Sequence, residues 1–359
     1  MTKMATLEVR KDDLKRVRVT ERDAPALSEG EILAKVDRFA LTANNVTYGV
    51  VGEKIGYWKF FPAEDGWGVI PVWGFADVVE SKSPDVPVGD RLYGYFPMGT
   101  HLVMKPDKVK PERLTDGAAH RAGLPPVYNS YARTKGEPHY DPSMDDERML
   151  LFPLYATSFC LYDFLVDNKW FGARQVLIVS ASSKTAIGLA AAIAEDQSAP
   201  DLAGLTSRGN LGVVSKLKLY SSLHAYDDIA SVDASVPTVI VDMSGSGKVL
   251  SELHGLLGDN MIYCANVGVT HYDDNEMGPN FIRERSAMFF APGHIQKRAA
   301  DWGPGVFEKK AFVFWRDAAM RSRDWLKLDR CHGMKGLTTA YLRVLNGESS
   351  PDRGVIVEL

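Results

Sequence analysis

Two stretches of the chain carry side chains whose types and spacing suit chemistry. The first reads SASSKTAIG (180–188), directly after the apolar run QVLIV and before an alanine-rich run. Small residues between a strand and a helix let a phosphate approach backbone N–H groups at the helix N-terminus. Ser182, Ser183, Lys184 and Thr185 add hydroxyls and a cation to such a cradle. The dinucleotide fingerprint G-x-G-x-x-G is absent, and only Gly188 stands at a glycine position. An ordinary N-capped turn has the same composition, so both readings stay open. The second stretch is Thr206-Ser207-Arg208, at the end of the next apolar run. No carboxylate stands there to take a ribose 2′-hydroxyl, as NAD sites require. Hydroxyls followed by a guanidinium suit a 2′-phosphate, because arginine forks onto phosphate oxygens. A solvated surface arginine is the plainer alternative. Taken with the first stretch, the pattern favours NADP(H) over NAD(H).

The elements that must position these residues follow two grammars. Before residue 110, alternating apolar and charged residues predict short strands over 14–20, 31–39, 74–81 and 91–96. Glycines and prolines recur every few residues between 69 and 106, which suits a compact β domain. From about 150 the pattern changes. A helix is predicted over 155–165, then strands over 175–180, 202–206, 238–241 and 261–267, with a helix over 186–195. Strands alternating with helices imply right-handed βαβ units and a parallel sheet, whose carboxyl ends form a ligand crevice. Asp242 and Ser244 fall at one such end and Gly268, Val269, Thr270 and His271 at another. Residues 115–148 fit neither grammar; they are polar, carry four prolines and contain PVYNSYAR. A connection that long is usually functional or mobile. The end of the chain predicts a helix over 337–345 and a strand over 354–359.

Composition narrows the classes. A chain of 359 residues suggests two domains. Its net charge of −4 and lack of basic runs argue against nucleic acid or an anionic membrane as partner. Three scattered cysteines form neither a disulfide framework nor a zinc spacing. The charged N-terminus has no secretory h-region, and no uninterrupted apolar run reaches membrane length. The expectation is a cytoplasmic protein.

The order of parts resembles the medium-chain dehydrogenase/reductase superfamily. PALSEGEILAKVDRFALTANNVTYG (25–49) is similar to its opening, and VGDRLYGYFPMGTHLVMKPDKV (88–109) resembles the close of its GroES-like barrel. ATSFCLYDFL (156–165) and NGESSPDRGVIVEL (346–359) resemble its pre-Rossmann helix and its C-terminal helix–turn–strand. TANNVTYG, PVYNSY and VGVTH resemble an uncharacterised branch of the superfamily more closely. The resemblance implies an α/β chain with a GroES-like β-barrel domain and a Rossmann doubly wound parallel-sheet domain. The GroES-like substrate domain would span 1–152, completed by 306–359, and the Rossmann domain 153–305. Zinc-dependent members need a cysteine in the substrate loop and a Gly-His-Glu motif. Here the loop has Asn44 and Asn45, and the motif position reads Trp73-Gly74-Phe75-Ala76. No metal is therefore expected, and the resemblance points to zinc-independent quinone, enone and enoyl-thioester reductases.

That chemistry is hydride transfer from NADPH to an activated double bond of a small molecule. It needs a donor for the developing enolate and a proton for the other carbon. The resemblance places a functional tyrosine at Tyr48, with Asn44 and Asn45 to bond a carbonyl or the nicotinamide ribose, and a threonine near the nicotinamide at Thr157. Tyr226, Asp242 and Ser244 join the cofactor set. Gly268 would let the carboxamide approach backbone, next to Val269 and Thr270. His271 and Tyr128 are further candidates for the acid. The alternatives kept open are a ketone or aldehyde reductase and a catalytically silent nucleotide-binding sensor or scaffold. A homodimer is the assembly left open.

Overall fold

The computed structural model describes residues 2–268 and 277–359. The chain divides into two compact units. One comprises Met1–Leu150, Leu328–Ser349 and Arg353–Leu359; the other comprises Leu151–Lys327 and Ser350–Asp352.

The first unit is the GroES-like β domain. The strand Ile32–Leu41 is central, pairing antiparallel with Pro71–Ser81, His101–Met104 and Arg353–Glu358. The sequence predicts alternation here, but both ends of the strand are buried on successive residues and only Lys35 is exposed, because strands flank it on either side and the pairing with Pro71–Ser81 shifts register between Val36 and Arg38. The predicted strand over 14–20 lies instead at Val17–Asp23, paired with Lys3–Arg10. The helix Gly333–Leu345 is pinned where Tyr341 Oη donates to the Leu14 carbonyl at 3.0 Å.

Residues 115–148 are not a loose loop. Ser130–Arg133 adds to the sheet between Arg91–Pro97 and Arg113–Asp116, in antiparallel register with both. Gly94 makes this possible. A Cβ there would lie 2.4 Å from the Tyr131 ring, so only glycine leaves room for it. The turn Pro126–Asn129 precedes the strand, with proline at its start.

The second unit is a Rossmann domain. Six parallel strands run in the order Ser222–Ala225, Asp201–Thr206, Gln175–Val179, Thr238–Asp242, Met261–Asn266 and Ser286–Met288. Period-two alternation sends Val176 and Ile178 to a core on one face and Leu177 and Val179 to a core on the other. The helix Lys184–Ala194 packs close to the helix Asp145–Asp167 because Gly188 has no side chain: a Cβ would meet Ser158 Oγ and the Tyr155 ring at 2.6 Å. The stretch 142–167 is long and apolar enough to cross a membrane, but 56% of its most apolar window is buried inside the protein, as in a core helix.

The sequence predicts that the return to the first domain begins at 306. The compact units put it at 328. Phe307 and Ala311 of the helix Val306–Ser322 pack on Cys160, and Asp163 binds His294 at 2.6 Å and Arg298 at 2.5 Å from the helix Ala291–Trp302. These contacts keep both helices with the parallel sheet. Neither helix, nor the edge strand Ser286–Met288, is predicted from the sequence.

Candidate functional site

The chain crosses the parallel sheet from Gln175–Val179 outward to one side, then returns to Thr238–Asp242 on the other. Such a switch point opens a crevice at the carboxyl ends of the two strands. Ser180 turns the chain there with φ of 64°, a conformation unusual for a side-chain-bearing residue. Ser183 caps the following helix, its Oγ accepting from the Ala186 N–H at 3.2 Å. Ser182 Oγ accepts from Thr206 Oγ1 at 2.9 Å and from Asn210 Nδ2 at 3.1 Å, which joins the turn to the end of the neighbouring strand. Tyr226 hydrogen-bonds Ser180, and burial pushes its phenol up to about 12. Lys184 Nζ donates to the Pro351 carbonyl at 3.4 Å. Desolvation pushes that ammonium down to about 8, against an opposing pull from Asp352. Thr185, on the first turn of the helix, is half-buried, and its carbonyl accepts from Ser158 Oγ at 2.8 Å. The turn therefore combines a helix N-terminus, small side chains and a cation, a set that fits a pyrophosphate.

Three candidates have structural employment. Asp242 is fully buried and accepts from the Ser244 N–H, Ser244 Oγ and the Gly245 N–H at 2.8, 2.6 and 2.9 Å, so it closes its own turn. Gly268 is forced by packing, since a Cβ would lie 2.3 Å from the Met243 carbonyl oxygen. Thr157 Oγ1 donates to the Pro153 carbonyl one helical turn back, at 3.2 Å. Val269, Thr270 and His271 lie outside the described residues.

At the end of Asp201–Thr206, Ser207 begins the next helix without using its side chain as a cap. Arg208 is exposed, as a solvent-facing phosphate ligand would be. Its guanidinium forks onto Asp227, with Nε and Nη2 each 2.9 Å from a carboxylate oxygen. A carboxylate thus does stand beside this strand end, supplied by the segment after the next strand. Sequence position alone gives no sign of it.

In the first unit the candidate residues Asn44, Asn45 and Tyr48 sit on the helix Ala43–Val50 rather than in an open loop. Asn45 serves the fold: its Oδ1 accepts from the Thr42 N–H at 2.8 Å and its Nδ2 donates to the Pro71 carbonyl at 2.9 Å. Asn44 and Tyr48 share one helix face, being four residues apart. Tyr48 Oη accepts from Asn44 Nδ2 at 2.8 Å and from Trp73 Nε1 at 3.3 Å. Burial drives its phenol well above the ordinary tyrosine range.

Around Tyr48 lies an aromatic cluster drawn from five elements. Trp73 and Tyr95 face each other across paired strands, rings 5.2 Å apart. Tyr57 stands 4.7 Å from the Tyr48 ring, Tyr95 5.5 Å and Tyr128 6.2 Å. Tyr57 Oη and Tyr128 Oη are 3.0 Å apart. The structure thus brings together Asn44, Tyr48 and Tyr128, and adds Tyr57, Trp73 and Tyr95, none of which is a site candidate from the sequence. The aromatic run YWKFF at 57–61 is a visible signal for Tyr57 alone. Among the described residues no group of three or more His, Cys, Asp or Glu is arranged to hold a metal ion.

A β domain completed by the C-terminal strand, together with a doubly wound parallel sheet, makes up the medium-chain dehydrogenase/reductase fold. A family model described as protein of unknown function (DUF2855) matches residues 39–350, and the chain belongs to that family. No curated protein matches the sequence. Among solved structures it is similar to CurA from Vibrio vulnificus, at 12% identity and a TM-score of 0.65, covering 99% of this chain and 98% of that one. The NADPH complex of the same protein matches at 11% identity and 0.63, covering 99% of both chains. The quinone oxidoreductase from Coxiella burnetii matches at 11% identity and 0.54, covering all of both chains. At these identities the likeness establishes the fold.

Proposed function

We propose that this chain is an NADPH-dependent oxidoreductase that reduces an activated double bond: an enone, a quinone or an enoyl thioester. The observation that carries the reading is the wiring of Tyr48. Two N–H donors occupy its oxygen, so the hydrogen-bonding capacity left to it is its proton. A phenol held in that way suits donation to a developing enolate. The cofactor assignment is supported by the turn 180–188 and by the NADPH bound in a protein of the same fold. Bound NADPH would supply the hydride. Ser182, Ser183, Lys184 and Thr185 would hold its pyrophosphate, and Thr206, Ser207 and Arg208 its 2′-phosphate. The reading is of a cytoplasmic enzyme that uses no zinc. It includes a homodimer formed through the edge strand Ser286–Met288, whose Met288 is exposed together with the nearby Phe290.

The test is NADPH oxidation with cyclohexenone, trans-hexenal and naphthoquinone, by wild type and Tyr48→Phe. Removing the hydroxyl while keeping the ring should lower kcat by roughly 10²–10⁴. NADPH affinity should barely change, and the melting temperature should fall modestly because the Asn44 and Trp73 N–H groups lose their acceptor. A saturated carbonyl product supports double-bond reduction, and an alcohol would replace it with carbonyl reduction. NADPH binding without turnover on any probe would point to a sensor or scaffold. Sedimentation of Phe290→Glu checks the dimer, which should dissociate.

A further inference from the structure

Tyr128 reaches the aromatic cluster from the segment 116–133, and the way that segment is held is unusual for a surface connection. Arg121 is 2% exposed. Its Nε faces the Asp116 carboxylate at 3.2 Å, with both side chains buried. Its Nη1 donates to Tyr131 Oη at 2.8 Å, and its guanidinium lies 5.6 and 5.0 Å from the Phe60 and Phe61 ring centres. Tyr131 Oη in turn donates to the Tyr95 carbonyl at 2.6 Å. The Tyr95 ring packs 4.7 Å from that of Tyr128. One buried cation thus ties both sides of the turn Pro126–Asn129 to the strand beneath Tyr128. Apolar residues of the same volume could hold a loop at no desolvation cost. A charged pair here makes sense as a device that fixes position.

What it positions is a chain of hydroxyls. Tyr57 Oη lies 3.0 Å from Tyr128 Oη, and the Tyr128 ring stands edge-on to the Tyr48 ring with centres 6.2 Å apart. Tyr48 and Tyr57 are buried, whereas Tyr128 is half-buried, so of the three it lies nearest to solvent. A phenolate on Tyr48 would be short-lived in such surroundings and would need a proton at hand.

We propose that Tyr128 is the relay that returns a proton to Tyr48, that Tyr57 orients its hydroxyl, and that the Arg121–Asp116 pair positions the assembly; this rests on Tyr48 being the proton donor of the proposed reductase. The balance is simple. The substrate carbanion left by hydride addition forms a C–H bond with the Tyr48 proton as that O–H bond breaks. The Tyr48 phenolate takes the proton of Tyr128, and Tyr128 takes one from water. No electrons are exchanged in these steps.

Two readouts test it on the full-length chain. In protein labelled isotopically at the tyrosine Cζ, Tyr128→Phe should move the Tyr48 resonance, while Tyr140→Phe, which lies outside the cluster, should not. With cyclohexenone and NADPH, Tyr128→Phe should lower kcat roughly tenfold or more at unchanged KM and raise the solvent deuterium isotope effect. Tyr57→Phe should do the same to a smaller degree. Arg121→Lys keeps the charge opposite Asp116 and should retain most of the wild-type isotope effect. A still Tyr48 resonance, or normal kcat in Tyr128→Phe beside an impaired Tyr48→Phe, would overturn the relay and leave the reductase reading standing. No turnover by wild type on any probe would sink the reductase reading, and the relay with it.

Discussion

Arg208 and Arg121 each face a carboxylate, but they live in opposite surroundings. The Arg208–Asp227 side chains are 66% and 61% exposed; those of Arg121 and Asp116 are 1% exposed each. An exposed pair is held weakly and can be traded for another anion at little cost. A buried pair cannot be opened without stranding a charge. The first arrangement suits a ligand site in waiting, and the second suits a fixed scaffold. The same two residue types therefore do different work according to the water around them.

The sharpest way to break this contrast is at the buried end. Asp116→Ala should destabilise the chain by about 3–5 kcal/mol, since it leaves the guanidinium buried and unpaired. Thermal or denaturant unfolding measures this. Replacing both partners, Asp116→Leu with Arg121→Met, should recover most of that stability but not the wild-type kcat. A double variant that is both stable and fully active would show the pair to be packing alone.

At the exposed end, Arg208→Ala should leave the melting temperature where it is. NADPH binding should weaken roughly tenfold to a hundredfold, with NADH little changed. Titration of both cofactors decides it, and equal losses would remove Arg208 from the 2′-phosphate site.

Lys184 sits between the two extremes and gives a smaller, pH-dependent effect. Its folded value of about 8 lies below its ordinary 10.5. Between those values the unfolded chain binds more protons, so this residue makes the fold more stable as pH rises through that window. A phosphate needs the ammonium, so affinity for both cofactors should fall as pH climbs past about 8. Lys184→Met should flatten that dependence in a binding titration.

Asp227→Asn should have the smallest effect, and in the opposite direction. It frees Arg208 without creating a cavity, so NADPH should bind somewhat more tightly at unchanged stability. Weaker NADPH binding would mean that Asp227 itself serves the ligand.

Legibility in the sequence followed the same division between local and distant causes. The parallel strands could be read because a fully buried strand needs a continuous apolar run, as in QVLIV and TVIVD. The turn at 180–183 could be read because its small residues act locally. The helix Ala43–Val50 was hidden by its asparagines, which seldom favour a helix interior. There Asn45 works as part of a capping box. The aromatic cluster was hidden for another reason. Tyr48, Tyr57, Trp73, Tyr95 and Tyr128 are spread over eighty residues and meet only through strand register, as Trp73 and Tyr95 do. Asp227 likewise reaches Arg208 across nineteen residues. Residues 115–148 were opaque because their order comes from one buried ion pair and one added strand, neither of which leaves a periodic trace.

The missing side chain at Gly94 has a consequence for how this lineage could change. The Tyr131 ring fills the place where a Cβ would stand. The two positions should therefore change together. A descendant that acquired alanine or valine at 94 would first have to lose the ring at 131, and one that trimmed away the segment around 131 would be free to fill 94. Across relatives, glycine at the first position and an aromatic at the second should come and go together. Their joint history would date the segment's arrival on the barrel.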